Sequence, residues 1–173
     1  MHLHHQTTHL LLRPLRVADT DAIFAFYAAP EMMAWRGAPV FTQRSEAEAL
    51  MFGWRKLEAL QRGFRVGIEH KATGTLIGTA GFKHIDHTHR SGEIGYELLP
   101  QYWNHGYMTE ALQPLLAQTA AYYNLHTVTA NIDPRHIASK RVLEKLGFVQ
   151  EAHYRENYFF ERWWDSAIWV KHV

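Results

Sequence analysis

The stretch GYELLPQYWNHGYMTEAL, Gly95–Leu112, decides the reading of the chain. Its first part reads as a strand from Glu93 to Leu99 stopped by Pro100. From Gly106 onward the pattern turns helical to about Tyr123, with Met108, Ala111, Leu112, Leu115 and Thr119 on one side. The first N–H groups of a helix lack intrahelical partners and lie at the positive end of its dipole. Amides from Asn104 through His105, Gly106, Tyr107 and Met108 to Thr109 are thus placed to wrap a phosphate. Gly106 permits close backbone approach, and His105 adds a donor. Pro114 falls inside the helix, where its missing donor predicts a kink.

Upstream, Leu10 to Leu12 reads as a short strand closed by Arg13-Pro14, and Asp19 or Thr20 caps a helix through Tyr27. Ser45-Glu46-Ala47-Glu48 fits a capping box for a helix carrying Ala47, Leu50, Met51, Trp54 and Leu57, with Gly63 as its stop. Phe64, Val66 and Ile68 then alternate with Arg65, Gly67 and Glu69, as in a half-buried strand. The turn Lys71-Ala72-Thr73-Gly74 leads to a second strand, Thr75 to Phe82, and a polar turn over His87 to Gly92 leads to the third. Downstream, Thr127 to Ile132 is a strand and Ile137 to Leu146 a helix ended by Gly147. Two closing strands cover Phe148 to Tyr154 and about Trp163 to Val170. This order predicts an α+β fold, a mixed α/β sandwich around one sheet.

Composition narrows the function. A chain of 173 residues, 47% hydrophobic and 20% charged, suits one globular domain over 10–173 after a flexible histidine-rich stretch, 1–9. Eighteen Lys and Arg against seventeen Asp and Glu give a formal net charge of +1, which argues against a dedicated nucleic-acid binder. With no cysteine, disulfides, thiolate nucleophiles and cysteine-held metal centres are excluded. No apolar run reaches the roughly 18 to 20 residues of a membrane-spanning helix, and the N-terminus lacks an export pattern, so a cytoplasmic domain is expected. Thirteen histidines raise the question of metal. His2, His4, His5 and His9 read more simply as a terminal tract, and His84, His87 and His89 as a solvated turn, with His84 near an acceptor opening. No metal is expected.

The sequence resembles the GNAT acetyltransferases, and within them the branch of ribosomal-protein N-terminal acetyltransferases of the RimJ/RimL type. The stretches that carry the resemblance are LLLRPLRVADTDAIFAFYAAPEM, GTLIGTAGFKHID, EIGYELLPQYWNHGYMTEAL, ASKRVLEKLGFVQEAHYRE and WDSAIW, from Leu10 to Trp169. It implies an acyl-CoA N-acyltransferase fold with a central, mostly antiparallel sheet flanked by helices. It also implies acetyl-CoA as cosubstrate, held in a splay between the strands Glu93 to Leu99 and Thr127 to Ile132. Main-chain groups near Leu98 and Leu99 would pair with the pantetheine arm as an added strand does, and the pyrophosphate would rest on His105, Gly106, Tyr107, Met108 and Thr109. Trp103 is usual for the branch. Met108 stands where the wider family has Gly or Ala, and its amide remains usable. His105 replaces a basic residue, which makes phosphate affinity pH-dependent near an imidazole pKa of about 6.5. His136 replaces the Asn of N-x-x-S, which steadies the pantetheine.

Acetyl transfer to an amine needs a proton acceptor, a polarised carbonyl and a proton for the departing thiolate. The tyrosine acid found in many relatives, in Y-E-K-x-G-F, is Leu143 here, so the resemblance points to Ser139 as acid or thiolate donor. Alternation puts Glu93 and Glu97 on one side of their strand as the leading bases, with bulk water as the other acceptor, and Tyr96 lines the slot. The expected function is acetylation of a primary amine, a protein N-terminal α-amino group or a small molecule, with a non-catalytic acetyl-CoA-binding module as the alternative. The acceptor pocket is expected from Ala34 to Thr42 and the closing hairpin, with Tyr158, Phe159, Phe160, Trp163 and Trp164 shaping its opening or packing. A homodimer stays compatible with this reading.

Overall fold

The computed structural model describes residues 4–36, 38–159 and 162–173, and the side chains of 155–164 lie outside that description. Along the chain run β1 (His5–Gln6), β2 (Leu10–Pro14), α1 (Thr20–Ala28), α2 (Pro30–Met33), α3 (Arg44–Ala59), β3 (Phe64–His70), β4 (Thr75–Asp86) and β5 (Ser91–Leu98). They are followed by α4 (Tyr107–Tyr123), β6 (Thr127–Ile132), α5 (Ile137–Lys145), β7 (Val149–Phe159) and β8 (Arg162–His172). The strands make one sheet in the order β1-β2-β3-β4-β5-β6-β8-β7. Every pairing is antiparallel except that of β5 with β6. This is the expected mixed α/β architecture.

Alternation along the strands sends side chains to two cores. Leu10, Leu12, Phe64, Val66, Ile68, Ile94 and Leu98 pack against Met108, Leu112 and Leu115 of α4 and Leu143 of α5. On the other face, Ile23, Phe26 and Tyr27 of α1, Met32 and Met33 of α2 and Ala47 and Met51 of α3 form a second cluster with Leu76. Because both faces are covered, charges on strand positions that alternate away from the first core are buried too. Arg13 is 4% exposed and grips Asp19 with two parallel bonds of 2.8 and 2.9 Å and Glu69 with a third of 2.6 Å. That grip fastens the start of α1 to β2 and β3.

Several local expectations change. Ser45 lies inside α3, whose cap is Gln43, and the Glu46 carboxylate accepts from the amides of Thr42 and Gln43 at 2.7 and 2.8 Å. Asp19 precedes α1 without a side-chain cap bond, because its carboxylate serves Arg13 and the Arg16 amide. Gln61, with φ of 54°, takes the left-handed position after α3. Gly63 is needed instead because a Cβ there would stand 2.5 Å from the Phe82 carbonyl oxygen. Residues 5–9, expected as a flexible tract, are built into the fold: β1 pairs with β2, and Thr7 and His9 bond to Glu110. Gly147, with φ of 79°, ends α5 as expected, the Phe148 amide reaching back to the Leu143 carbonyl at 3.0 Å. Among the described residues no helix is long and apolar enough to cross a membrane.

Gly81→Ala is expected to cost about 1–3 kcal/mol, because the new Cβ would meet backbone oxygen of Phe64 at 2.1 Å. Gly53→Ala, in the middle of α3 with nothing within 4 Å of the added carbon, is expected to stabilise by about 0.5–1 kcal/mol. Denaturant melts of the two variants should move in opposite directions.

Candidate active site

The site begins where β5 and β6 part. These parallel strands pair only at Ser91–Thr127, Gly92–Val128 and Glu93–Thr129. Beyond, β5 is held by β4 and β6 by β8, which leaves a fork. The Leu99 amide donates to Ile77 on β4 at 2.9 Å, so antiparallel alternation turns the main-chain groups of Leu98 and Tyr96 towards the fork. This corrects part of the expected pantetheine contact. Both Leu99 groups are taken, the carbonyl by the Tyr102 amide, and the Leu98 carbonyl already accepts the Trp103 indole N–H at 2.6 Å. The Leu98 amide and the Tyr96 main chain remain for a strand-like ligand.

At the far end of the fork, Asn104 and Gly106 adopt φ of 62° and 81°, and α4 starts without a side-chain cap. Among the described residues, the amides of Asn104, His105, Gly106, Tyr107, Met108 and Thr109 have no hydrogen-bond partner. Buried or ordered amides seldom go unpaired, and a run of them at a helix start fits a diphosphate. His105 contributes less than expected. Its Nδ1 lies 2.7 Å from the Trp103 carbonyl oxygen, a contact that needs a proton there, and its ring stacks on Tyr107 at 5.5 Å. Only Nε2 is left for an anion. The start of α4 is steadied by Glu110, which accepts from the Thr7 hydroxyl at 2.5 Å and the His9 amide at 2.8 Å. Burial opposes its ionisation, yet those bonds keep its carboxyl below the ordinary range.

On the α4–α5 side of the fork, Tyr96 of β5 meets Ser139 in the first turn of α5. The phenol and the Ser139 Oγ are 2.7 Å apart, and Ser139 is 6% exposed. Burial pushes the Tyr96 phenol up to about 12 against the opposing bond from Ser139, so it stays protonated. His136 caps α5, its Nδ1 accepting from the Ser139 amide at 3.2 Å, and Trp35 packs 5.0 Å from its ring. Burial holds this imidazole below its ordinary value with Asp133 opposing, which preserves the unprotonated Nδ1 that the cap needs.

The other side of β5 carries Glu93 and Glu97, as alternation predicts. Glu93 pairs with Lys83 at 2.9 Å. Glu97 is in a different situation. One oxygen receives the Tyr27 hydroxyl at 3.2 Å and the Arg36 guanidinium; the other receives the Thr79 hydroxyl at 2.8 Å and the Arg65 guanidinium. Arg65 also donates to Thr79 at 3.0 Å and to the Gly95 carbonyl at 2.8 Å, and lies 5.4 Å over Trp54. With its lone pairs occupied by two cations and two hydroxyls, Glu97 has little room to take a proton. Tyr27, Arg36, Arg65 and Thr79 were not singled out from sequence. Only Arg65 carries a signal, a charge on the strand position that alternates away from the first core, which reads as a solvated face until helices cover it; Tyr27, Arg36 and Thr79 lie on α1, the turn after α2 and β4.

His84 is exposed with a φ of 53°, and His87 and His89 are engaged with other groups. His87 bonds the Gln61 carbonyl at 2.9 Å and His89 pairs with Asp86 at 2.8 Å. Among the described residues no three metal-ligating side chains gather. The side chains of Tyr158, Phe159, Phe160, Trp163 and Trp164 lie outside the described part of the structure.

A forked sheet, with a strand edge on one arm and a phosphate-ready helix start beyond it, defines an acyl-CoA-dependent acyltransferase. The acetyltransferase (GNAT) domain family matches residues 9–149. The uncharacterized N-acetyltransferase YoaA of Bacillus subtilis is 32% identical over 151 residues, covering 87% of this chain and 85% of that protein. The chain belongs to the GNAT acetyltransferase family and is an acetyl-CoA-dependent acetyltransferase. Its fold is similar to that of the ribosomal-protein-S5-alanine acetyltransferase of Vibrio fischeri, with TM-score 0.85 at 22% identity, covering 98% of this chain and 96% of that one. It is likewise similar to the spermidine N-acetyltransferase of Vibrio cholerae, solved with CoA and spermine, with TM-score 0.83 at 23% identity and 96% of each chain covered.

The neutral His136 cap predicts a pH effect with a definite sign. As pH falls below about 6.5 the unfolded chain takes up a proton that the folded imidazole resists, so this contribution is complete above that pH and is lost on the acid side. His136→Asn keeps a capping acceptor without titrating. The difference in melting temperature between wild type and His136→Asn, followed from pH 7.5 to pH 5, should shift in favour of the variant as the solution becomes acid.

Proposed function

We propose that this acetyltransferase acylates a primary amine as a member of the RimJ/RimL-like branch, with a protein N-terminal α-amino group as the first acceptor class and a small-molecule amine as the second. The branch reading is supported by the run from Gly95 to Leu112 and by Ser139-Lys140-Arg141-Val142-Leu143. Acceptors as different as a ribosomal-protein alanine and spermidine belong to proteins of this same fold, and fold alone does not choose between them.

The observation that carries the mechanism is the 2.7 Å contact of Ser139 with Tyr96 at the fork. Acetyl-CoA supplies the activated thioester; the amine nitrogen bonds to the acetyl carbon as the carbon–sulfur bond breaks. In our reading the Leu98 amide and the Tyr96 main chain align the pantetheine, and the amides of Asn104 to Thr109 take the diphosphate. Ser139 gives a proton to the departing sulfur, and Tyr96, kept protonated by burial, stands behind it as the next donor. His136 holds the helix turn that carries Ser139. The amine proton leaves to water or to Glu93, which is less encumbered than Glu97. Glu97 organises the acceptor side instead. This division of labour supports turnover over the passive binding module.

Two measurements test it. Saturating acetyl-CoA is expected to raise the melting temperature, since it binds only the folded chain; no rise would overturn the cofactor assignment. Ser139→Ala is expected to lower kcat about 10²-fold or more with a much smaller change in acetyl-CoA affinity, and an unchanged kcat would remove its role as acid.

A further inference from the structure

Glu97 has one cation more than it needs. Arg65, with a side chain only 10% exposed, neutralises it from within and is itself fixed by Thr79, Gly95 and Trp54. Arg36 brings a second guanidinium to the same carboxylate, and its side chain is 37% exposed. It lies over the Tyr27 ring at 4.7 Å and bonds the Tyr27 hydroxyl at 3.3 Å. Among the described residues no other carboxylate pairs with Arg36 or Arg65, and Glu93 on the same face is already matched by Lys83. The group therefore carries a surplus of one positive charge. Two like charges converging on one anion repel each other, and a further anion relieves that repulsion.

The surplus sits on the segment that links β5 to the start of α5. Trp35 packs against His136 at the start of α5, while its neighbour Arg36 reaches Glu97 on β5. This short segment thus spans from β5 to the start of α5, whose first turn carries Ser139, the partner of Tyr96.

We propose that Arg36, backed by Arg65, is an anion subsite of the acceptor pocket, so that the preferred acceptor is a primary amine with a carboxylate or other acidic group close to it. This rests on the amine-acetyltransferase reading above. A polyamine would bring positive charge to a cation that has no spare counter-ion. The Arg36 guanidinium offers donors on a planar fork suited to a carboxylate, and the exposed Trp35 gives the rest of the acceptor an aromatic wall.

The test compares initial rates with full-length protein and acetyl-CoA on five acceptors: tripeptide amides starting with serine and bearing two acidic, two neutral or two basic residues, free aspartate, and spermidine. The acidic peptide or aspartate is expected to exceed the neutral and basic peptides by about tenfold in kcat/KM, with spermidine poorest, and the margin should shrink as salt rises. Whichever of the two leads tells whether the anion belongs to a peptide or a small amino acid. Arg36→Gln should erase the margin chiefly by raising KM for the acidic acceptor, Arg36→Lys should restore part of it, and Arg36→Glu should invert it. A wild-type preference for neutral or cationic amines overturns the proposal, as does an undiminished margin in a folded Arg36→Gln protein. If the variants fail to fold, the wild-type ranking alone decides. Acetylation without charge preference removes only the subsite. Absence of acetylation on every amine, with acetyl-CoA still raising the melting temperature, removes the amine-acetyltransferase reading as well.

Discussion

A parallel ladder that stops after three residue pairs is the constraint from which the rest of the site follows. β5 and β6 each keep a partner on the far side, so neither is free to drift, and the gap between them cannot close without breaking a ladder elsewhere. Main-chain donors and acceptors facing such a gap want partners. The chain meets part of the demand itself, through the indole of Trp103 on the Leu98 carbonyl, and leaves the remainder to a ligand shaped like a strand. The helix that follows β5 then presents its own unpaired amides beyond the fork.

The fork also separates tasks by face. Tyr96 and Ser139 lie towards α4 and α5, among neighbours that keep the phenol protonated. Glu93 and Glu97 lie on the opposite face, Glu93 paired with Lys83 and Glu97 held by two guanidiniums and two hydroxyls. One residue step along β5 is enough to move from the proton-donating side to the charge-bearing side. A bound thioester between the arms would be addressed from both.

Much of this was legible in the sequence because it was local. The period change at Phe64, the strand stop at Pro100, Gly106 before α4 and Gly147 after α5 are features that a window of a few residues determines. The alternation that put Glu93 and Glu97 on one side was correct for the same reason. What the sequence hid depends on distant segments. The engagement of Leu99 comes from Ile77, twenty-two positions earlier. The engagement of Glu97 comes from Tyr27 on α1, Arg36 in the turn after α2, Arg65 on β3 and Thr79 on β4. The ordering of residues 5–9 comes from Glu110 and from β2. His136 could be seen as a substitution within a motif, but not as a cap whose ring is closed off by Trp35.

The bonds that Thr7 and His9 donate to Glu110 have a practical side. The first turn of α4 is anchored to Thr7 and His9, so the start of that helix is mechanically continuous with the edge of the sheet. Fusing a tag directly before Thr7, or trimming back to Leu10, would strain or remove the bonds that hold the first turn of α4. A purification handle on this protein belongs at the other end.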